Sequence, residues 1–171
     1  HDSVLQTLAL IQKQAGDADE VARLARAQER ELRAWLFDDS VPNHTTTFAA
    51  LQKAAGEVED AFRVVIQPVT VGEDVAFDER TEAVVLAARE AMVNAAKHAG
   101  VDTIDVYAEH LAGRLEVFVR DRGSGFDPDA VPADRHGLRD SIVGRVRRVG
   151  GEVHVVSSIG NGSEVEIALD L

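Results

Sequence analysis

Three segments in the second half of the chain place an apolar residue at every second position, with mostly polar residues between them, and this pattern limits the possible folds more than any other feature. Their apolar members are Ile104, Val106 and Ala108, then Leu115, Val117 and Val119, then Val165, Ile167 and Leu169. Period-two alternation places one face of a sheet on a core and the other in water. The pattern predicts an α+β fold, a two-layer α/β sandwich with a mixed, mostly antiparallel sheet. A doubly wound fold is disfavoured, since its strands would be apolar on both faces.

Helices that could cover one face of this sheet are predicted in three segments. Residues 48 to about 62 and 80–98 have helical spacing, and Gly100 closes the second helix. A third helix is predicted from Gly137 to near Val149, after a polar run at 122–136 that resembles a mobile lid. Residues 63–71 are rich in β-branched side chains and predict a strand, which Pro68 assigns to a sheet edge or an irregularity.

Residues 1–37 carry a different pattern, with apolar residues at helical spacing in 2–14 and again in 21–36. This predicts an antiparallel helical hairpin, whose narrow apolar edge could pair with a second copy in a four-helix bundle or pack on the rest of the chain. The polar stretch 38–47, which contains Pro42, is predicted to link it to a domain at 48–171. Because the chain begins inside an amphipathic pattern, we expect a truncated hairpin from a longer protein.

Composition narrows the classes of partner. The 171 residues include 30 acidic and 18 basic ones, a formal charge of −12 that disfavours binding to nucleic acid. The absence of cysteine excludes disulfides and thiolate metal sites. No apolar run approaches the roughly 20 residues of a membrane span, and the start of the chain has no signal-peptide pattern. Together with the absence of cysteine, this predicts a cytoplasmic fragment. Anchoring of the full-length protein in the inner membrane, through regions before His1, stays open.

The segment EAMVNAAKHAG at 90–100 carries the strongest functional signal. Glu90, Asn94, Lys97 and His98 stand at i, i+4, i+7 and i+8, on one stripe of an otherwise apolar helix. Such a stripe is costly unless it faces water, a ligand or a metal. An amide oxygen suits Mg²⁺, and a carboxylate one turn earlier can orient a metal-bound water or accept a proton during phosphoryl transfer. Taken alone, the stripe could also be an ordinary solvated helix face.

Three glycine-containing segments supply further candidate binding residues. These are Asp121, Gly123 and Gly125 in DRGSG, Gly137 and Leu138 in HGL, and Gly160, Gly162 and Ser163 in GNGS. A carboxylate at a strand end can accept a hydrogen bond from an adenine amine, while glycines let the backbone approach a flat base. Backbone N–H groups at the start of a helix, as in HGL, can bind phosphate oxygens. The GNG turn by itself predicts only a hairpin.

Together these segments resemble the N, G1, G2 and G3 boxes of the GHKL ATPase superfamily, which includes gyrase, Hsp90, histidine kinases and MutL. The resemblance covers residues 48–171 and implies a Bergerat-type fold that binds ATP and Mg²⁺. It implies that Asn94 is the metal ligand, that Asp121 reads the adenine, and that Lys97 and His98 approach the phosphates. The sequence departs from the superfamily pattern at Arg122, Arg135 and Ser163.

HDSVLQ at 1–6, followed by RAQERELRAWL at 26–36, resembles the dimerisation and phosphotransfer hairpin of sensor histidine kinases that pair with NarL-type response regulators. The resemblance implies that His1 accepts the phosphoryl group, that Asp2 polarises its imidazole, and that Gln6 positions water for dephosphorylation of the partner. Glu90 is the fourth candidate catalytic residue. A terminal histidine by itself could instead be a tag remnant or a frayed end.

The resemblance therefore predicts a homodimeric, ATP-dependent protein-histidine kinase that passes its phosphoryl group to an aspartate of a NarL-type response regulator. A phosphatase activity stays open. One alternative is an anti-sigma-type serine kinase of the same superfamily, which the hairpin at 1–36 disfavours. A second alternative is a catalytically silent ATP-sensing scaffold, which the presence of Glu90, Asn94 and Asp121 disfavours.

Overall fold

The computed structural model of the chain describes residues 5, 6, 8, 9, 18–37, 46–98, 100–125, 127 and 142–171, with only the backbone at 19, 30, 31 and 33–37. The chain divides into two compact units, 1–42 and 43–171. In the first unit, helix α1 spans Ala18–Phe37, as the spacing in 21–36 predicts. Residues 5, 6, 8 and 9 are also helical.

The second unit is a five-stranded sheet with helices packed on it. Its elements are α2 (Thr47–Phe62), β1 (Val65–Gly72), α3 (Glu79–His98), β2 (Thr103–Leu111), β3 (Arg114–Asp121), a helical stretch α4 (142–148), β4 (Glu152–Ser157) and β5 (Ser163–Asp170). The strand order is β1-β2-β3-β5-β4. Strand β1 pairs with β2 in parallel and the remaining pairs are antiparallel. The predicted sandwich with a mixed, mostly antiparallel sheet is therefore confirmed.

The core lies between the helices and the inner face of the sheet. Alternate residues of β2, β3 and β5 point into it, and these strands are the three segments with apolar residues at every second position. From the helices, Leu51, Met92 and Val146 are among the most completely buried side chains. Burial of apolar surface on a single face explains why the opposite face of the same strands can carry charged residues.

Helix α2 is capped at both ends, and its C-terminal end leads directly into strand β1. Thr46 caps α2 by accepting a hydrogen bond from the Ala49 N–H at 3.3 Å. Arg63 ends the helix in the left-handed conformation, with φ of 55°, so the strand predicted from residue 63 begins only at Val65. The carboxylate of Glu59 accepts a hydrogen bond from the Ile66 N–H at 2.7 Å, and this bond ties the end of α2 to the edge strand.

Helix α3, the central helix, begins at a reciprocal cap. Asp78 Oδ1 accepts hydrogen bonds from the N–H groups of Arg80 and Thr81 at 2.9 and 3.0 Å, and Thr81 Oγ1 accepts one from the Asp78 N–H at 2.9 Å. Arg80 Nη2 donates to the Asp170 carbonyl at 2.6 Å, at the end of β5. These bonds fix the axis of α3 against the sheet.

Strand β4 was not predicted from the sequence. It has only six residues, lies at a sheet edge, and breaks its own alternation where the exposed Val156 follows Val155. Pairing with β5 therefore decides that this segment is a strand, because its own sequence pattern is ambiguous. Within the described part of the chain, no helix combines the length and apolar character that crossing a membrane requires.

Candidate functional site

Asp121 is a buried carboxylate at the end of β3, with only 4% of its surface exposed. Its Oδ1 accepts a hydrogen bond from the Gly123 N–H at 2.9 Å, and its Oδ2 accepts one from the Ser163 hydroxyl at 2.5 Å. The sheet register sets this pair, because Asp121 on β3 lies directly opposite Ser163 on β5. A carboxylate offers about four lone-pair directions, so acceptor capacity remains after these two bonds.

Two turns pack closely around this carboxylate, and their glycines make the contact possible. The Gly160 N–H donates to the Ser124 carbonyl at 2.7 Å. A Cβ at Gly125 would lie 2.1 Å from the Ser158 carbonyl oxygen, and one at Gly162 would lie 2.2 Å from that of Asp121. Both glycines have positive φ, 62° and 76°. We call Asp121, the turn 122–125 and the segment 158–163 the Asp121 corner.

The polar stripe predicted on α3 (Glu90, Asn94, Lys97 and His98, here the α3 stripe) lies along the partly open side of that helix. Glu90 and Asn94 are half-buried and Lys97 and His98 are exposed. The helix residues between them, including Ala91, Met92 and Ala95, are buried in the core. The stripe therefore presents an amide and a carboxylate, one turn apart, from a helix whose backbone is held by packing.

Glu90 is the unusual member of the stripe. Its Oε2 atom is buried and accepts no hydrogen bond from the described part of the chain. Arg145 Nη1 on α4 lies 3.9 Å from that oxygen, an ion-pair distance that is too long for a hydrogen bond. No sequence pattern indicated a role for Arg145. Its signal would have been an arginine next to the apolar face of a predicted helix, and that signal is weak.

Lys97 lies at the far end of the stripe, with its Nζ 5.9 Å from the centre of the Phe62 ring. This is within the range of a cation–π contact and places the ammonium beside the end of α2.

Several predicted site residues lie outside the described residues. These are His1, Asp2, Gly137 and Leu138, together with the segment predicted as a lid except for 122–125 and Asp127. Gln6 is described as an exposed helical residue. The end of the third predicted helix is confirmed by α4, while its start near Gly137 lies outside the described part.

A model of the histidine kinase-like ATPase domain matches residues 17–150. The chain belongs to this family. The matched range contains α3 with its stripe and Asp121 on β3, while Ser163 and the 158–162 turn follow it in the chain. Asp121, the candidate for reading the base, therefore accepts a hydrogen bond from Ser163, a residue beyond the matched range.

Two curated relatives from Bacillus subtilis are sensor histidine kinases. LiaS is 27% identical over 190 residues, covering 100% of this chain and 52% of LiaS. YdfH is 36% identical over 85 residues, covering 48% of this chain and 21% of YdfH. The chain therefore spans about half the length of LiaS and about a fifth of that of YdfH.

Solved structures of histidine kinases share the fold. A histidine kinase domain from the blue-light-activated kinase of Erythrobacter litoralis superposes with a TM-score of 0.56 at 22% identity, covering 97% of this chain and 86% of that one. The mycobacterial sensor histidine kinase MprB gives 0.59 at 17% identity, covering 73% and 94%. Full-length ShkA, solved with AMPPNP, gives 0.55 at 24% identity, covering 70% and 28%.

The residues of this ATPase domain fit an adenine nucleotide. The Asp121 corner provides a buried carboxylate acceptor, held by glycine-containing turns that pack against each other. The partly exposed Glu90 carboxylate and the half-buried Asn94 amide provide oxygen atoms for a phosphate-bound magnesium ion or its water. Among the described residues, no three His, Cys, Asp or Glu side chains form a metal cluster. A metal at Asn94 would therefore depend on phosphate and water ligands for its remaining positions.

Proposed function

We propose that the chain is the catalytic core of a two-component sensor histidine kinase, in which Mg-ATP binds with its adenine at the Asp121 corner and its phosphates along the α3 stripe. The observation that carries the proposal is the hydrogen bond from Ser163 to the buried Asp121 carboxylate at 2.5 Å, which joins two segments 42 residues apart into one corner. Asn94 holds the metal, Lys97 and His98 contact phosphate oxygens, and backbone N–H groups near Gly137 and Leu138 bind the remaining phosphate charge.

His1 is the proposed phosphoacceptor. A neutral imidazole nitrogen of His1 attacks the γ-phosphorus, and an N–P bond forms as the bond to the bridging β–γ oxygen breaks and ADP leaves. Mg²⁺ supplies charge neutralisation at the phosphates when it is bound. Asp2 polarises the imidazole, Glu90 orients water or accepts a proton, and Gln6 positions water when a phosphorylated partner is hydrolysed.

The partner is proposed to be a NarL-type response regulator, whose aspartate receives the phosphoryl group. The helices within 1–37 would pair two copies of the chain through the hairpin, the linker at 38–47 would follow, and 48–171 would bind the nucleotide. The similarity to LiaS supports this organisation over a serine kinase of the same superfamily, because it extends over the whole chain, including 1–36.

Nucleotide binding is tested with Asn94→Ala. We expect this variant to lose Mg-ATP binding, measured by titration calorimetry, because the amide oxygen is the proposed protein ligand of the metal. Gln52→Ala, which removes an exposed amide from α2, is the matched control and should bind as the unmutated chain does. Near-unchanged ATP affinity in Asn94→Ala would contradict the proposed site.

Phosphoryl transfer is tested with γ-labelled ATP on the full-length protein. The expected product carries an acid-labile, base-stable label that disappears in His1→Gln and persists in His154→Gln, a change of an exposed histidine on β4. A label that survives in His1→Gln, or that is stable to acid as a phosphoserine would be, would assign a different acceptor.

A further inference from the structure

Helix α4 carries three arginines of which one faces the α3 stripe. Ile142 and Val146, one turn apart, are buried in the core, and Arg147 and Arg148 are exposed. Arg145 lies between these two environments, with 39% of its side chain exposed. Its guanidinium lies near Glu90, with Nη1 3.9 Å from Oε2, while the other two arginines are exposed.

The end of α4 is fixed to its surroundings, which fixes the backbone that carries Arg145. The N–H groups of Val149 and Gly151 donate to the Val146 carbonyl at 3.2 and 3.0 Å. A Cβ at Gly151 would lie 2.6 Å from Val146 Cγ1 and 2.7 Å from the Ala168 carbonyl oxygen, so β5 and α4 enclose this glycine. The Val149 carbonyl also accepts a hydrogen bond from Arg80 Nε at 3.4 Å, which links the end of α4 to the first turn of α3.

Glu90, on the facing helix α3, has a side chain that is partly buried and partly exposed. Its side chain is 22% exposed although Oε2 is buried, so the exposed part belongs to its other atoms. Buried carboxylate oxygens are ordinarily paired or hydrogen-bonded. Here the described part of the chain offers the buried oxygen a cation at 3.9 Å and no hydrogen-bond donor.

We propose that Arg145 is a positioning residue for Glu90 in phosphoryl transfer, an inference that rests on the proposed function. The guanidinium attracts Oε2 towards α4, and this sets the orientation in which the other carboxylate oxygen, Oε1, faces the reacting groups. Because orientation of a reacting group affects the rate of the chemical step, loss of Arg145 lowers the turnover number and leaves nucleotide affinity nearly unchanged. Arg145 acts through Glu90 and does not itself contact the nucleotide.

The test compares Arg145→Gln with Arg148→Gln, which removes an exposed arginine from the same helix. Initial rates of phosphohistidine formation from γ-labelled ATP are measured in the full-length protein over a range of ATP concentrations. We expect Arg145→Gln to lower kcat at least tenfold with KM for ATP within twofold, and Arg148→Gln to match the unmutated protein. Arg145→Lys, which keeps the charge, should recover part of the rate. The double variant Glu90→Gln/Arg145→Gln should be no slower than Glu90→Gln alone, since both changes remove the same function.

An unchanged kcat in Arg145→Gln, or a loss confined to KM, would overturn the inference while leaving the proposed function intact. Rate losses that multiply in the double variant would also overturn it, because they would show that Arg145 acts independently of Glu90. If Arg145→Gln fails to unfold cooperatively on heating, the same comparison of kcat and KM in Arg145→Lys decides. Absence of both ATP binding and transfer in the unmutated protein would overturn the proposed function and this inference together.

Discussion

The Asp121 corner and the α3 stripe differ in how completely the chain satisfies their polar groups. In the corner, both carboxylate oxygens of Asp121 accept hydrogen bonds, and two glycine turns close on each other at distances that exclude a side chain. On the stripe, Glu90 has a buried oxygen without a hydrogen-bond donor in the described structure and a distant cation. The corner is preorganised, while the stripe leaves polar groups for something else to complete.

The proposed function gives this contrast a physical rationale. A base-reading site gains selectivity from rigid acceptors whose geometry does not change on binding. A site for phosphates, a metal and a moving phosphoryl group needs groups that are stabilised only when those charges arrive, and such groups are strained or unsatisfied beforehand. The two regions should therefore respond in opposite directions when their side chains are truncated.

The largest effect is expected for Gly162→Ala in the corner. The new Cβ would meet the Asp121 carbonyl oxygen at 2.2 Å, at a residue with φ of 76°, so the free energy of unfolding should fall by roughly 3 kcal/mol. Gly160→Ala is the control, because it has φ of 84° with nothing within 4 Å and should cost only about 1 kcal/mol. Denaturant unfolding measures both variants. Equal losses would show that the corner is not closely packed.

The next effect concerns the bond between Ser163 and Asp121. Ser163→Ala leaves a buried carboxylate oxygen without its donor, so we expect a loss of about 2 kcal/mol in stability together with weaker ATP binding. Ser163→Thr keeps the hydroxyl and should retain both properties. Thermal unfolding and nucleotide titration provide the measurements. If the Ala and Thr variants behave alike, the hydroxyl does not hold Asp121.

A change in stability of the opposite sign is expected for a substitution on the α3 stripe. Glu90→Met replaces the unsatisfied carboxylate with an apolar group of similar length, and we expect a gain of about 1 kcal/mol in stability with loss of phosphoryl transfer. Glu90→Gln keeps a polar atom at the buried position and should gain less. A destabilised Glu90→Met would show that the ion pair with Arg145 stabilises the fold, and the contrast between the regions would fail.

The smallest effect lies at the start of α3, away from both regions. The pKa of Asp78 is held below its ordinary 3.8, chiefly by the hydrogen bond from the Thr81 backbone N–H. Its contribution to stability is therefore complete above that value and is lost as the pH falls through the lower pKa of the folded state. Asp78→Ala should cost about 0.5 kcal/mol near pH 7, because the cap is exposed, and its difference from the unmutated chain should shrink as the pH falls through the folded-state pKa, which lies below 3.8. Glu79→Gln, at the next exposed position, is the control and should have little effect over the same pH range.

How much could be predicted from the sequence depends on whether a signal is local. The alternation in β2, β3 and β5 and the helical spacing of α3 predict the elements, because burial on one face imposes a period on the sequence. Strand β4 was missed because its short pattern is irregular and its pairing with β5 decides its conformation. Arg145 was missed because nothing near it in the chain indicates that Glu90, 55 residues earlier, lies beside it.

The sequence by itself determined the layer architecture, the polar stripe on α3 and the candidate residues Asp121 and Ser163, because each follows from residue spacing or residue type. Only the tertiary structure decided that Asp121 and Ser163 share a hydrogen bond, that their turns exclude any side chain, and that one Glu90 oxygen is buried beside Arg145. The physical reason is that hydrogen bonding and burial depend on distances between segments, and strand register and helix packing set those distances only once the chain has folded.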